Sequence, residues 1–219
     1  MGKLFKVNDN LFYVKNPQVN NNIFLKIEPQ DSELPEYDKI ADKLPRPIWD
    51  GHEDAIACYN KVWKIAFGNL RKANKEAGFV SNFIDTAFNG YLFMWDSSFI
   101  LMFAKYGSGI FNFQKTLDNF YSHQHKDGFI CREICEKQTG EQFARDDPAS
   151  TGPNIMPWSE WEYFTSTGDI ERLGLDTTTQ DSGSAGFVNA LVRSVPPFAY
   201  LLCRISVKNL VAFEIYAWQ

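Results

Sequence analysis

Apolar and polar positions alternate over short spans at the start of the chain. Lys3–Val7, Leu11–Lys15 and Ile23–Ile27 are rich in β-branched and aromatic residues and are broken by Asn-rich turns, which predicts three short strands. Residues 28–47 are polar and Pro-rich and read as a linker. The period then changes. Asp50 and Glu53 form a capping-box pattern, and Ile56, Tyr59, Trp63, Ala66, Phe67 and Leu70 recur at helical spacing. Arg71, Lys72, Lys75 and Gly78 supply a C-terminal signal. Asp96 reads as the N-cap of a second helix. Its run Phe99–Ala104 is apolar all round, as in a helix buried on several sides, and it ends at Gly107.

A third helix is predicted over 110–122, with Phe111, Gln114, Leu117, Phe120 and Tyr121 on one side. Residues 126–157 carry Gly128, Gly140, Pro148, Gly152, Pro153 and Pro157 and read as a long loop, a length that in a compact domain usually serves function. A fourth helix opens near Pro157, carries Trp158, Trp161 and Phe164, and stops before Gly168. Beyond residue 173 the character changes. Gly174–Gly186 is rich in Thr, Ser, Gly and Asp, and the remainder is apolar but weakly patterned, with Pro196-Pro197 interrupting it. No repeat is visible by identity, although repeated helix–loop–helix units with long loops on one face are suggested. The expectation is an all-α protein with a short β segment in front. Residues 1–46 form a β-rich lead-in and linker, 47–173 the helical body and 174–219 an atypical tail.

Length and composition narrow the function classes. A chain of 219 residues with 44% hydrophobic residues can bury a sizeable core. Its net charge of −5 argues against a nucleic-acid partner, which would need a basic face. No apolar span is long enough to cross a bilayer and no secretory leader is visible, so the expected location is cytoplasmic, with no membrane partner. The four cysteines read as free thiols in a reducing compartment. His123 and His125 precede Cys131 and Cys135 without a zinc-like spacing, so neither a metal nor a cofactor is expected. The two histidines suit a helix C-terminus. Nucleotide loops, GxSxG elbows and HExxH pairs are absent.

Aromatics stand at 16%, with 19 Phe, 9 Tyr and 6 Trp. They fill a core, form an interface or stack on ligands. Their grouping with charged residues favours ligands. Trp95-Asp96, Asp127-Gly128-Phe129-Ile130, Arg145-Asp146-Asp147-Pro148 and Trp158-Ser159-Glu160-Trp161 interleave indoles and phenyl rings with carboxylates and arginines. Sugar rings present apolar faces to aromatics and hydroxyls to charged acceptors and donors. Each residue also has a plainer reading. Asp96 caps a helix, Arg145 pairs with its acidic neighbours, and Arg132, Glu133 and Glu160 face either a pocket or solvent.

In order and spacing, these motifs resemble the trehalase-like and family 63 glycoside hydrolases. The matching pieces are Trp95-Asp96, Gly128-Phe129-Ile130, and Arg145 with Pro148 ahead of the Trp158 helix. Cys131-Arg132 stands where the family has Pro-Asn, and Asp146-Asp147 where it has Ser-Gln. The resemblance covers roughly 47–173 and implies an (α/α)6 toroid, of which this chain would supply a part. Twelve helices of about 11–12 residues with connections of about 4–6 need roughly 200 residues for the barrel alone. A truncation, deletion or frame error near Leu173 is the matching expectation.

The resemblance also implies hydrolysis of α-glycosidic bonds in a disaccharide or oligosaccharide, by an inverting acid/base mechanism. Trp95 would wall the sugar pocket, and Asp96 and Arg145 would hold hydroxyls. Phe129, Arg132, Glu133, Trp158 and Glu160 complete the candidate substrate-binding set. Gly174-Leu175-Asp176 is similar in outline to the family's acid motif but precedes its expected place, so the catalytic acid and base stay unassigned. Two alternatives remain open: a carbohydrate-binding fragment without turnover, and an all-α interaction module whose tryptophans are core or interface.

Overall fold

The computed structural model describes residues 4–8, 11–14, 17–29, 32–86, 89–137, 140–143 and 155–174. The chain divides into two units, Met1–Asp169 and Ile170–Gln219. In the second, the described residues form one short helix, Ile170–Gly174. Arg145 and Asp176, and the sequence features of residues 175–219, lie outside the described residues.

Strands β1 (Leu4–Asn8) and β2 (Leu11–Val14) pair antiparallel, Leu4 opposite Val14, with an irregularity between Lys6 and Asn8. The third predicted strand is not one. Ile23–Leu25 is a 3-10 turn, because Asn22 caps it: its Oδ1 accepts the Phe24 amide at 2.9 Å. The same side chain donates to the Tyr121 carbonyl at 2.9 Å, and Phe24 packs on Tyr121 with ring centroids 5.2 Å apart.

Two helices come next, α1 (Tyr37–Ile40) and α2 (Glu53–Gly68). Asp50 does not cap α2. His52 holds the N-cap position without a side-chain bond, and Glu53 and Asp54 place acidic groups in the first turn, where the helix dipole favours them. The helix ends at Gly68, before the predicted basic stretch. Leu70–Arg71 (β3) instead pairs with Phe83–Ile84 (β4), and Gly78, at φ +80°, ends the 3-10 turn Lys75–Ala77 between them.

Strand β5 (Tyr91–Phe93) leads directly into helix α3 (Met94–Ala104). Asp96 therefore sits inside the first turn, and the N-cap position belongs to Phe93, which makes no side-chain cap. The predicted helix over 110–122 is a 3-10 segment, Phe113–Leu117, running into one α turn, α4 (Asp118–Tyr121). The supposed long loop contains β6 (Glu133–Cys135) and β7 (Gly140–Glu141), which complete an antiparallel sheet in the order β5-β6-β7. Helix α5 (Met156–Thr167) has Pro in its first turn and ends at Gly168 in the left-handed region, as its sequence dictates.

The protein is thus not all-α, and no α-toroid is formed by the described residues: three small antiparallel sheets are set among the helices. The strands beyond the lead-in escape notice because they are two or three residues long, too short to display a period of two.

The core has an aromatic centre. Trp63 lies 4.4 Å from Phe103 and 6.2 Å from Phe113 between ring centroids, and Phe67 meets Phe113 edge-on at 5.4 Å. Polar braces join the rest. Buried Asn119 accepts the Val80 and Ser81 amides at 2.9 and 3.0 Å and donates to the Ser81 carbonyl at 3.1 Å. Thr116 Oγ1 accepts the Ile84 amide at 3.1 Å. A buried backbone left without such partners would cost roughly 1–3 kcal/mol per group.

Candidate functional site

Helix α3 has one buried side, formed by Met94, Ser97, Ser98, Leu101 and Ala104. Its apolar run is longer than that side can hold. Trp95 and Phe99 are consequently left 52% and 48% exposed, with Asp96 exposed between them. Positions 95 and 99 share a helix face, and their rings meet edge-to-face with centroids 5.5 Å apart. Helix α5 packs against α3 and adds Trp158, 40% exposed, at 5.6 Å from Phe99. A row of three exposed aromatic rings results.

The sheet carries Arg132 and Glu133 to the same helix end. Strands β5 and β6 pair with Phe93 opposite Glu133, and the Met94 amide donates to the Arg132 carbonyl at 2.8 Å. Arg132 and Glu133 thereby stand beside the first turn of α3, one or two residues from Trp95-Asp96 across the ladder. The Arg132 guanidinium lies 4.4 Å over the Phe143 ring, and its Nη1 is 3.8 Å from Glu133 Oε2. Arg132 keeps 34% of its side chain exposed and Glu133 only 15%, so the arginine is the more open member of the pair. Carboxylates here can accept sugar hydroxyls, the guanidinium can donate, and an exposed indole can stack on a sugar face.

Other predicted residues lie elsewhere. Phe129 belongs to a turn in which Asp127 Oδ1 accepts its amide at 3.1 Å, and its ring meets His125 edge-on at 5.4 Å. His125 in turn faces Glu141, with Nε2 2.6 Å from Oε1. Glu160 is 1% exposed and opens to no solvent. Tyr121 donates to its Oε1 at 3.2 Å, which ties α5 to α4. His123 follows α4, as a helix C-terminus favours, with Nδ1 2.6 Å from the Asn119 carbonyl and Nε2 2.9 Å from that of Ala77. Among the described residues, no group of three or more His, Cys, Asp or Glu is placed to hold a metal, and no helix is long and apolar enough to cross a membrane.

Two groupings have little or no signature in the sequence. Phe143, the ring beneath Arg132, belongs to none of the sequence motifs. Asp85 and Glu136 converge on Gly90. The Gly90 amide donates to Asp85 Oδ2 at 2.8 Å, the Glu136 amide donates to the Gly90 carbonyl at 2.9 Å, and Arg71 Nε lies 3.9 Å from Asp85 Oδ2. Burial pushes the Glu136 carboxyl above its ordinary value and the Asp85 carboxylate adds to the rise, while Arg71 and Lys137 oppose it. This cluster sits at the end of the β5–β6 ladder away from Glu133. Phe99, by contrast, was within reach of the sequence, since it stands four residues after Trp95 on one helix.

No family model, curated protein or solved structure matches this chain.

Proposed function

We propose that the chain binds an α-linked disaccharide or oligosaccharide on the face formed by Trp95, Asp96, Arg132 and Glu133, as a glycoside hydrolase or part of one. The observation that carries the proposal is the β5–β6 pairing, which sets Arg132 and Glu133 beside the exposed Trp95-Asp96 turn. The sequence resemblance to trehalase-like glycosidases supports the α linkage. Trp95 offers its indole to the apolar face of one sugar, and Asp96 accepts hydroxyl hydrogen bonds. As a hydrolase the chain would invert the anomeric centre. One carboxylic acid would protonate the glycosidic oxygen and one carboxylate would activate water, about 6.5–9.5 Å apart. Asp96 and Glu133 are the carboxylates at hand, and neither is assigned to either role.

A second reading, binding without turnover, is favoured by two placements. Glu160 is enclosed, and Glu136, the carboxyl whose proton affinity is raised in the manner of a general acid, stands at the far end of the ladder.

Tryptophan fluorescence titrated with α-linked glucose disaccharides tests the proposal. The expected result is a saturable change that Trp95→Ala abolishes and that Asp96→Asn weakens about tenfold or more, the scale of a hydrogen bond to a charged group. Identical titrations of wild type and both variants would refute it. Release of reducing sugar on prolonged incubation separates hydrolysis from binding alone.

A further inference from the structure

His123 and His125 follow α4 and take no part in the sugar site, yet both rings close on the two residues of β7. His123 backs Gly140. Its Nδ1 is 2.6 Å from the Asn119 carbonyl oxygen and its Nε2 2.9 Å from that of Ala77, and a Cβ on Gly140 would fall 2.5 Å from Nε2. His125 holds the next residue by its side chain, with Nε2 2.6 Å from Glu141 Oε1.

A carbonyl oxygen accepts hydrogen bonds and donates none. A neutral imidazole carries one N–H, so at His123 it would set a lone pair against one of the two carbonyls. Ser122 Oγ, 3.2 Å from Nδ1, gives no relief, because its single hydrogen is directed at the Gly78 or Asn119 carbonyl, each at 2.9 Å. Only the imidazolium donates from both nitrogens. The His125–Glu141 contact is likewise strongest as imidazolium with carboxylate. Other charged groups around these elements are Lys126 and Asp127 in the His125 turn, Lys75 and Glu76 beside Ala77, Asp118 at the start of α4, and Glu136 just past β6. Asp127 accepts the Phe129 amide, Asp118 accepts the Ser81 hydroxyl at 2.9 Å, and Lys75 pairs with Glu28, so these three have partners besides the rings.

Strand β7 is only two residues long and makes few ladder bonds of its own. The Gln142 amide donates to the Glu133 carbonyl at 3.1 Å, and Phe143 beyond it supports Arg132. Side chains beneath β7 therefore decide how firmly this sheet edge is held.

We propose that His123 and His125 form a proton-operated clamp, which fastens β7 to the β5–β6 sheet while both imidazoles are charged and loosens it when they lose their protons. The inference stands apart from the sugar reading. Docked β7 favours the protonated rings, so docking weakens as pH rises through the range in which imidazoles discharge, about pH 5–8. Below about pH 4 carboxylates take up protons and the His125 half of the clamp fades as well.

Amide hydrogen exchange of the full chain, followed by NMR at pH 5.5 and pH 8 and corrected for the intrinsic pH dependence of exchange, tests the clamp. It is run in a Glu136→Gln background, which removes a titrating carboxyl at the neighbouring strand. Protection of the Gln142 amide is expected to fall about tenfold or more between the two pH values, the scale of a hydrogen bond between charged groups, while amides within α5 hold theirs. His125→Gln, which keeps a donor that does not titrate, is expected to remove much of that fall. A second reading needs no substitution in the clamp. Nitrogen-15 shifts of the three histidines at pH 7 are expected to show protons on both ring nitrogens of His123, with the exposed His52 as the internal reference. Equal Gln142 protection at both pH values, a fall that persists in full in His125→Gln, or a neutral single-tautomer ring at His123 overturns the clamp. None of these outcomes depends on whether the chain binds a sugar.

Discussion

Trp95 and Asp96 are neighbours on an exposed helical turn, and their exposure separates a binding role from a structural one. Asp96 makes no N-cap, since α3 begins at Met94, so its removal takes away no cap bond. Trp95 keeps about half its surface in water. Asp96→Asn is therefore expected to change folding stability by no more than about 0.5 kcal/mol in denaturant titrations, and Trp95→Ala to cost about 0.5–1.5 kcal/mol through its lost ring contact with Phe99, although both weaken sugar binding. A large loss of stability would move these residues back into the fold. Glu136 behaves in the opposite sense. Its raised proton affinity in the folded state means that ionising it disfavours folding. The folded chain thus loses stability as pH rises from the ordinary carboxylate range through the raised folded value. Glu136→Gln should raise Tm at about pH 7 and make little difference at about pH 3, where the carboxyl is protonated in both states. An unchanged Tm at the higher pH contradicts the placement of Glu136 beside Asp85.

At the level of elements, two glycines show how tightly the pieces are fitted. A Cβ on Gly107 would fall 2.9 Å from the six-membered ring of Trp63, a buried indole with nowhere to retreat. Gly140 opens β7 at φ +89°, and a Cβ there would meet His123 at 2.5 Å and the Ala77 carbonyl oxygen at 3.1 Å. Gly107→Ala and Gly140→Ala are each expected to destabilise by roughly 1–3 kcal/mol in urea unfolding, from overpacking and, at Gly140, from backbone strain as well. Helices were the legible part of this fold. Helix α5 could be read end to end because Pro157 and Gly168 punctuate it, and the body of α2, though neither of its ends, because Ile56, Tyr59, Trp63, Ala66 and Phe67 repeat along it. The sheets could not. Glu133–Cys135 becomes a strand only because Tyr91–Phe93 lies alongside, and nothing local announces that pairing. The site divides in the same way. Trp95, Asp96 and Trp158 stand out by residue type, whereas the placement of Arg132 and Glu133 beside them depends on the register of β6. Glu160 looked like a member of the aromatic cluster and is a core group bonded to Tyr121, a distinction that only packing decides.

On the scale of the whole molecule, a net charge of −5 and a row of exposed aromatics suit an uncharged, hydroxyl-rich ligand better than a polyanion. Such a ligand, binding the folded chain alone, shifts the unfolding equilibrium by mass action, by about 2.7 kcal/mol at a hundredfold excess over Kd. The decisive measurement is thermal unfolding of the purified chain at increasing concentrations of α-linked glucose di- and trisaccharides, beside the Trp95→Ala variant. A sugar site at the β5–β6 and α3 junction predicts a Tm that climbs with ligand concentration in the wild type and stays level in the variant. A Tm indifferent to every sugar in the wild type, or one that climbs equally in Trp95→Ala, contradicts it.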